Sequence, residues 1–142
     1  MRNVSQILEG KASRVVSVGR DAPVLEAIRL MAEHHIGSVL VLHDDRLAGI
    51  ATERDYARKV ILQGRSSSDT PVAQIMSSPV LTVTPHDTAQ TCMQIMTVRK
   101  IRHLPVLDGG RVVGMVSIGD LVKAVIEDQQ EEIQQLQHYI SM

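Results

Sequence analysis

A duplicated segment constrains the fold of this chain more than any other feature of its sequence. Shifting the sequence by 65 positions aligns residues 16–61 with residues 81–126 without a gap. Asp55 then meets Asp120, and the apolar residues agree nearly throughout. One copy alone would leave a sheet and helices half exposed, whereas two copies packed together bury both. We therefore expect an α/β (α+β) protein in which two units pack as a pseudo-twofold pair.

Each copy predicts the same order of elements: strand, helix, strand, strand and helix, or βαββα. Short β-branched runs mark the first strands, and apolar residues spaced by three and four mark the first helices. The predicted first strands are Val15–Val18 and Val80–Val83, the helix N-caps Asp21 and Asp87, and the hairpin turns Asp44-Asp45 and Gly109-Gly110. The predicted buried stripes are Leu25, Ile28, Met31 and Ala32, then Ala89, Cys92, Met93 and Met96, and the last helices begin near Glu53 and Ile118.

The repeat also sets the domain boundaries that the sequence predicts. Residues 1–64 form the first copy with an N-terminal segment, and residues 65–71 form a polar linker without apolar periodicity. Residues 72–127 form the second copy, and residues 128–142 form a helical tail.

The tail continues a pattern in which Ile126, Ile133 and Ile140 recur every seven residues. That spacing is typical of a helix whose apolar face packs on another helix. Gln129 occupies the other position expected to be apolar, which argues against a long coiled coil. The pattern favours packing within a homodimer of this chain, and binding to a different protein is the alternative.

Charge and hydropathy exclude several classes of function. The formal net charge of −1 provides no global attraction to nucleic acid or to an anionic membrane. No run approaches the ~20 apolar residues of a membrane span, and the N-terminus lacks the apolar stretch of a secretory signal. We therefore expect a cytoplasmic protein.

Neither catalysis nor metal binding finds support in the sequence. Cys92 is the single cysteine, which excludes an internal disulfide, and its apolar helical stripe is typical of a buried, inert thiol. His34 and His35 are adjacent, so they would point about 100° apart on a helix, and no metal-ligand spacing such as His-Glu-x-x-His occurs. We predict that the protein is not an enzyme and has neither a metal nor a catalytic cofactor.

The clearest candidate site lies where each hairpin runs into the last helix. A hydroxyl residue is followed three positions later by an acid: Thr52 by Asp55, and Ser117 by Asp120. The hydroxyl and the amides of the first helical turn can hold a phosphate, while the carboxylate can accept both hydroxyls of a ribose. The same spacing also forms a plain helix-capping arrangement. Duplication in register favours nucleotide binding, because capping alone does not require the pattern to recur.

A cluster of positive charge precedes the second hairpin. Arg99 and Lys100 are explained equally well as helix-end cations that complement the helix dipole. Arg102 and His103 enter a strand, so we predict that they contact the phosphate of a ligand. Pro105 lacks an amide hydrogen, which marks an edge or irregular position where neighbouring backbone groups stay free for a purine edge.

The first copy lacks this charge, because Gly37 and Ser38 stand at the equivalent positions. The ligand-binding clefts expected in the two copies should therefore differ in charge, and the cleft of the second copy should be the better phosphate site. Arg54, within the first motif, is available to compensate in part.

The stretches Thr52–Val60 and Arg102–Val106 resemble those of CBS-domain pairs (Bateman modules), above all of small stand-alone bacterial CBS proteins. The resemblance covers roughly residues 7–126. It implies a βαββα pair that encloses two clefts and commonly assembles into a disc-like homodimer. Members of the family bind AMP, ADP or ATP, and some similar proteins bind NAD or S-adenosylmethionine.

The resemblance also implies roles for individual positions. Ribose hydroxyls would be held by Asp120 and Asp55, phosphate would be met by Ser117 and Thr52, and positive charge would come from Arg102 and His103. The base pockets would be lined by Thr82, Val83, Leu104 and Val106 in the second copy and by Ser17, Val39 and Val41 in the first. The chain has no Phe and no Trp, so an adenine would lie between aliphatic side chains, where backbone hydrogen bonds would select it.

These features together predict an allosteric sensor of adenine nucleotides, with AMP foremost and ADP, ATP or NAD as other effectors. Such an energy sensor would report its ligand state to an unidentified protein partner. The alternative is a structural homodimerisation or interaction module whose clefts hold no functional ligand. A melting temperature that rises with nucleotide concentration distinguishes the first prediction from the second.

Overall fold

The computed structural model describes residues 2–11 and 15–141, and this part of the chain divides into two units. The first-copy unit comprises residues 15–81 with 110–112, and the second-copy unit comprises residues 2–11, 82–109 and 113–141. The helices are α1 (Val4–Glu9), α2 (Val24–His34), α3 (Glu53–Tyr56), α4 (Ala89–Arg99) and α5 (Ile118–Ser141). The strands are β1 (Ser17–Gly19), β2 (Ser38–His43), β3 (Arg46–Thr52), β4 (His103–Asp108) and β5 (Arg111–Ser117). A π-helical turn at Ala57–Ile61 continues α3, and a 3-10 turn spans Val72–Gln74.

A three-stranded sheet forms the centre of the first-copy unit. β1 runs parallel to β2, and β2 runs antiparallel to β3, with Ser38 opposite Thr52. The hairpin turn lies at Asp44-Asp45 as predicted, and both residues have positive φ angles, 51° and 63°, which suit the right-handed twist of the strands. The fully buried residues of this sheet are Val39, Leu40, Val41 and Ala51.

Helix α2 buries a different face from the one predicted. Its buried residues are Val24, Ala27 and Met31. Of the predicted stripe, Met31 alone is buried, since Leu25 and Ile28 are half-buried and Ala32 is exposed. Two adjacent rows of residues along α2 are apolar. Packing on the sheet buries the row that starts at Val24 rather than the row that starts at Leu25.

The N-terminus of α2 is satisfied by the linker rather than by a capping side chain. The prediction of Asp21 as the N-cap is wrong, because the N-cap is Pro23, which makes no side-chain cap bond. The amide of Val24 donates instead to the carbonyl oxygen of Thr70 at 2.8 Å. Thr70 is 3% exposed, so the end of the polar linker packs within the first-copy unit.

The second-copy unit repeats these elements with a less regular first strand. β4 and β5 form a two-stranded sheet, and the turn lies at Gly109-Gly110 as predicted. The predicted strand Val80–Val83 is reduced to one parallel bridge between Val83 and Val106. The predicted stripe of α4 is confirmed: Ala89, Cys92 and Met96 are buried, and Met93 packs against the same cluster.

Thr88, rather than the predicted Asp87, caps helix α4. The Thr88 hydroxyl accepts a hydrogen bond from the amide of Thr91 at 3.1 Å. The Asp87 carboxylate accepts from the amide of Thr84 at 2.7 Å and so stabilises the turn before the helix. Two neighbouring residues can each cap a helix or a turn, and tertiary packing decides which does which.

The segment that precedes each copy in the sequence packs within the unit of the other copy. α1 belongs to the second-copy unit, where a β-carbon added to Gly114 would lie 2.7 Å from Cδ2 of Leu8. In the first-copy unit, a β-carbon added to Gly49 would lie 2.5 Å from Sδ of Met76. Glycine therefore permits a close side-chain approach in both units. The boundaries predicted from the sequence follow the repeat along the chain, whereas packing joins the N-terminal segment to the second copy.

Helix α5 unites the last helix of the second copy with the predicted tail. It has 24 residues, and Leu121 and Ala124 are buried near its start, whereas residues 129–141 are exposed. The exposed apolar residues of its second half are Ile133, Leu136, Tyr139 and Ile140. Within the ranges described, no helix combines the length and the hydropathy required to cross a membrane.

Candidate functional site

In the first copy, the predicted hydroxyl and acid form a closed corner at the start of α3. The Thr52 hydroxyl donates to Asp55 Oδ2 at 3.1 Å and accepts from the Asp55 amide at 3.1 Å. Lys59, one turn along the same helical segment, lies 3.1 Å from Asp55 Oδ1 and donates to the carbonyl oxygen of Ile75 at 2.9 Å. Asp55 is 9% exposed, so neighbouring groups largely cover this carboxylate.

In the second copy, the same corner is completed by a lysine from the N-terminal segment. Asp120 Oδ2 accepts from the Ser117 amide at 2.9 Å, and the Asp120 amide donates to Ser117 Oγ at 3.2 Å. Lys11 Nζ donates to Asp120 Oδ2 at 2.7 Å and to the carbonyl oxygen of Met115 at 2.8 Å. Lys11 follows α1 and stands 109 positions before Asp120 in the chain.

The ionised form of Asp120 is stabilised in this environment. Burial raises the pKa of the carboxyl, but the hydrogen bonds from Lys11 and Ser117 and the positive charge of Lys11 outweigh burial. The pKa of Asp120 therefore lies below its ordinary value. A carboxylate has about four lone-pair positions, so an ionised Asp120 has acceptor capacity beyond its bonds to Lys11 and Ser117.

The capping interpretation of the motif is confirmed in both copies, because acid and hydroxyl bond each other's backbone amides. The first amide of each helix is also engaged. Glu53 donates to the carbonyl oxygen of Gly37 at 3.1 Å, and Ile118 donates to that of Arg102 at 2.9 Å. These two amides are not available to a phosphate, so a ligand would depend on the carboxylates and on the side chains beside them.

The predicted positive charges take different positions. Arg102 is exposed and lies directly before β4, whose first residue is His103. The carbonyl oxygen of Arg102 accepts from the amide of Ile118 at the start of α5, which places Arg102 beside the second corner. Arg99 lies in the last turn of α4, and Lys100 is its C-cap with a φ of 56°, so both have the helix-end positions of the simpler interpretation. Arg54 is exposed on α3.

Most residues implied for the base pockets are core residues in this structure. No exposed surface remains on Val39, Val41, Leu104 and Val106, and Val83 is 2% exposed. Each packs in the hydrophobic cluster of its own unit. Ser17 and Thr82 are half-buried and keep some exposed surface. The side chains of these five residues therefore belong to the core, and their role as pocket lining stays a prediction.

The backbone at Pro105 takes part in a parallel bridge, and the expected purine-reading edge stays a prediction. The Pro105 carbonyl oxygen accepts from the Val83 amide at 3.0 Å, and the Val83 carbonyl oxygen accepts from the Leu107 amide at 2.9 Å. The parallel bridge between Val83 and β4 uses these groups.

A cavity of about 620 Å³ lies between α1 and α5 in the second-copy unit. Its volume falls within the range of about 300–1,000 Å³ that is typical of small-molecule sites. Lys11 and Asp120 contribute to its lining, and the other charged residues of the lining are Arg2, Glu9, Lys123 and Glu127. Three cations and three acids thus line the cavity.

Sequence reasoning missed the two lysines that complete the corners. Lys59 stands four positions after Asp55, and that spacing on a predicted helix was a signal that could have identified the pair. Lys11 had no such signal, since no spacing rule connects a residue of the N-terminal segment with Asp120.

The single cysteine and the metal-ligating residue types were the other candidates for reactive sites. Cys92 has no exposed surface, and burial, with the nearby charge of Asp87, raises the pKa of its thiol to about 11, which agrees with the predicted inert thiol. Among the residues that the structure describes, no group of three His, Cys, Asp or Glu side chains is placed to hold a metal ion.

Comparison with known proteins identifies both copies. The CBS domain family model matches residues 4–61 and 72–127. The mitochondrial CBS domain-containing protein CBSX3 of Arabidopsis thaliana is 46% identical over 125 residues, which cover 84% of this chain and 61% of that protein. The chain thus spans about three fifths of the length of that relative. CBS domain-containing protein YhcV of Bacillus subtilis is 32% identical over 118 residues, which cover 83% of this chain and 84% of that protein.

Solved structures show the same similarity. A CBS-domain protein from Burkholderia ambifaria is 52% identical and superimposes with a TM-score of 0.85, covering 89% of this chain and 96% of that chain. A CBS domain protein from Pyrobaculum aerophilum, solved in complex with AMP, is 26% identical and has a TM-score of 0.74, covering 83% of this chain and 88% of that chain.

Proposed function

The chain belongs to the CBS-domain family, and from that premise we propose that it is a regulatory module that binds an adenine nucleotide without transforming it. AMP is the foremost ligand, and ADP, ATP and NAD are the other effectors. Binding would be transmitted to a protein partner through a coupling free energy of ~1–3 kcal/mol, which is typical of allosteric proteins. The cytoplasmic location remains a prediction from the sequence.

The duplicated corner of hydroxyl and acid is the observation that carries this proposal. In both copies the carboxylate lies at the start of a helix with a lysine nitrogen 2.7 Å or 3.1 Å away. An ionised carboxylate of this kind is a strong acceptor for the hydroxyls of a ribose. Arg102, exposed beside the second corner, supplies positive charge for a phosphate, whereas Gly37 holds that position in the first copy. The second corner is therefore the better nucleotide site.

The AMP complex of the Pyrobaculum aerophilum relative supports AMP as the first ligand to test. Titration of AMP into the chain should give saturable binding, and the melting temperature should rise with AMP concentration. Asp120→Ala should weaken binding by ~1.5–3 kcal/mol, roughly ten- to a hundredfold, because the ribose loses its charged acceptor.

The matched control for this variant is Asp108→Ala, which removes an exposed acid from the end of β4 and should leave AMP affinity unchanged. Isothermal titration calorimetry measures all three proteins. Equal AMP affinity in Asp120→Ala and the wild type would show that the assigned corner is wrong. No saturable binding of AMP, ADP, ATP or NAD would refute the proposed function.

An interaction module without a functional ligand is the second candidate, and helix α5 favours it. Ile126, Ile133 and Ile140 recur every seven residues and are 48%, 53% and 80% exposed. A helix that extends from its unit in this way is marginal in water without a partner. The second chain of a homodimer is the partner that we propose for this face.

This second candidate predicts that adenine nucleotides leave the melting temperature unchanged. Ile133→Lys should then shift the sedimenting species from dimer to monomer, because it places a charge in the apolar row. Val98→Lys is the control, since Val98 is 77% exposed on α4 and outside that row. A wild-type chain that sediments as a monomer at micromolar concentration would contradict this candidate.

A further inference from the structure

Lys11 occupies the carboxylate that the proposed function assigns to a ribose. Its Nζ atom lies 2.7 Å from Asp120 Oδ2 and 2.8 Å from the carbonyl oxygen of Met115. We propose that Lys11 is an autoinhibitory latch on the second corner, so that a ligand must displace its ammonium group before both hydroxyls of a ribose can bind the two oxygens of the Asp120 carboxylate. This inference rests on the proposed function and concerns how that same site is regulated.

The competition follows from the geometry of one oxygen atom. Asp120 Oδ2 already accepts from Lys11 and from the Ser117 amide, and the Ser117 bond is fixed by the helix cap. The Lys11 bond is the exchangeable one, because it comes from a flexible side chain outside the cap. A charge-assisted bond of this kind is roughly twice as strong as a neutral one, so a ribose hydroxyl competes against it at a disadvantage.

The cavity between α1 and α5 offers the displaced side chain a place to go. Lys11 lines this cavity together with two acids, Glu9 and Glu127. An ammonium group that leaves Asp120 can move towards these carboxylates and remain paired. Displacement therefore does not require the lysine to become an unpaired cation in a partly buried position.

Displacement would loosen the end of the N-terminal segment rather than the whole of α1. The beginning of α1 is held independently, since Arg2 pairs with Glu127 and Glu131 and the amide of Val4 donates to the carbonyl oxygen of Asp87 at 2.8 Å. After Lys11 the chain continues to the first copy, whose strand β1 begins at Ser17. A ligand on the second copy would thus loosen the residues at the end of α1, Gly10 and Lys11, within the second-copy unit.

In the first copy, the ammonium partner that the described residues provide is local. Its acid, Asp55, is paired with Lys59, which lies four positions further along the same helical segment. Displacing Lys59 would move one side chain on its own helix and would leave the N-terminal segment in place. The latch therefore makes the second corner the regulated one.

Adenosine is the probe that tests the latch, because it carries the ribose but has no phosphate to attract Lys11. Calorimetry should show that Lys11→Met binds adenosine about tenfold more tightly than the wild type, since one charged competitor for Asp120 is removed. Lys11→Arg keeps a cation at this position and should bind adenosine as the wild type does. Equal or weaker adenosine binding by Lys11→Met would overturn the latch.

Amide hydrogen exchange provides a second readout. The Gly10 and Lys11 amides donate to the carbonyl oxygens of Gln6 and Leu8 at 3.3 and 3.1 Å. In the wild type these two amides should exchange severalfold faster when adenosine is saturating, and in Lys11→Met they should exchange fast without ligand. Lys59→Met is the matched control and should leave their exchange at the wild-type rate.

The outcomes separate this inference from the proposed function. If AMP binds and Asp120→Ala weakens it, but Lys11→Met alters neither adenosine affinity nor amide exchange, the latch is wrong and the nucleotide site stands. If neither the wild type nor Lys11→Met binds AMP or adenosine, both fail.

Discussion

The corners at Asp55 and Asp120 share one residue pattern but are completed by different lysines. In the first copy Lys59 comes from the helical segment that the corner itself begins, and it contacts Asp55 at 3.1 Å. In the second copy Lys11 comes from a segment that precedes both repeats, and it contacts Asp120 at 2.7 Å. The pair in the first copy is local, whereas the pair in the second connects distant parts of the chain.

The repeat alignment shows why the two copies cannot use the same lysine. The 65-position shift places Ala124 opposite Lys59. The segments before the two copies align with a shift of 68 positions, Val4–Leu8 with Val72–Met76, and this shift places Pro79 opposite Lys11. Each carboxylate still obtains one ammonium partner. Duplicated acids therefore have the same local role in capping a helix, but the ammonium partner of the second comes from a segment 109 positions away.

The largest test concerns the two approach segments, Val4–Leu8 before the first copy and Val72–Met76 before the second, each of which packs in the unit of the other copy. Ile75→Ala should cost about 3–4 kcal/mol and Ile7→Ala about 2–3 kcal/mol of unfolding free energy, because Ile75 is 1% exposed and Ile7 is 9% exposed. Hydrogen exchange should show that Ile75→Ala loosens the first-copy unit and Ile7→Ala the second-copy unit. Loss of protection in residues 15–61 after Ile7→Ala would break the comparison, because α1 would then belong to the copy that follows it.

A smaller loss of unfolding free energy is expected from substitutions at Gly49 and Gly114, where the approach segments lie against the hairpins. Gly49→Ala should cost about 2 kcal/mol and Gly114→Ala about 1 kcal/mol, measured by chemical denaturation. The new methyl group at Gly49 would lie 2.9 Å from the backbone oxygen of Ser77, which cannot move aside easily. At Gly114 the obstacle is the end of the Leu8 side chain, which can rotate. The reverse order of the two costs would contradict this account.

The smallest predicted effect is the pH dependence that Asp120 confers. The pKa of Asp120 is lower in the folded chain than its ordinary value of 3.8, so near this pH the folded state binds fewer protons than the unfolded state. The ionised carboxylate therefore stabilises the folded state at pH values above 3.8. This stabilisation is lost as the pH falls through the folded pKa. When the pH is lowered from 6 to 3, the unfolding free energy of both proteins should fall, and the fall should be about 0.5–1 kcal/mol smaller in Asp120→Asn than in the wild type.

Urea denaturation at each pH measures this difference, with Asp108→Asn as the control for an exposed acid of the same unit. Lys11→Met should flatten the profile as well, because it removes the cation that lowers the pKa of Asp120. An Asp120→Asn profile parallel to that of the wild type would show that the Lys11 pair does not stabilise the folded chain.

Much of the fold could be predicted from the sequence because its signals are local and occur twice. The repeat predicted the βαββα order, the turns at Asp44-Asp45 and Gly109-Gly110, and the starts of the last helices at Glu53 and Ile118. The hydroxyl and acid of each corner were identified for the same reason, since three positions on one helix start fix their separation.

The errors share a physical cause, which is competition between neighbouring residues of similar chemistry. Asp87 and Thr88 can both cap α4, and two adjacent apolar rows of α2 can both face the sheet. In each case the local pattern permits two outcomes, and contacts with distant residues choose between them.

The sequence by itself determined the repeat, the order of elements and the pairing of hydroxyl with acid, because each is a matter of residues close together in the chain. The tertiary structure decided which lysine meets each acid and which copy receives each approach segment. Lys11 reaches Asp120 across 109 positions, and only the folded backbone brings such residues together. Periodicity and spacing carry no information about contacts at that distance, so the second corner became visible as a latched site only in three dimensions.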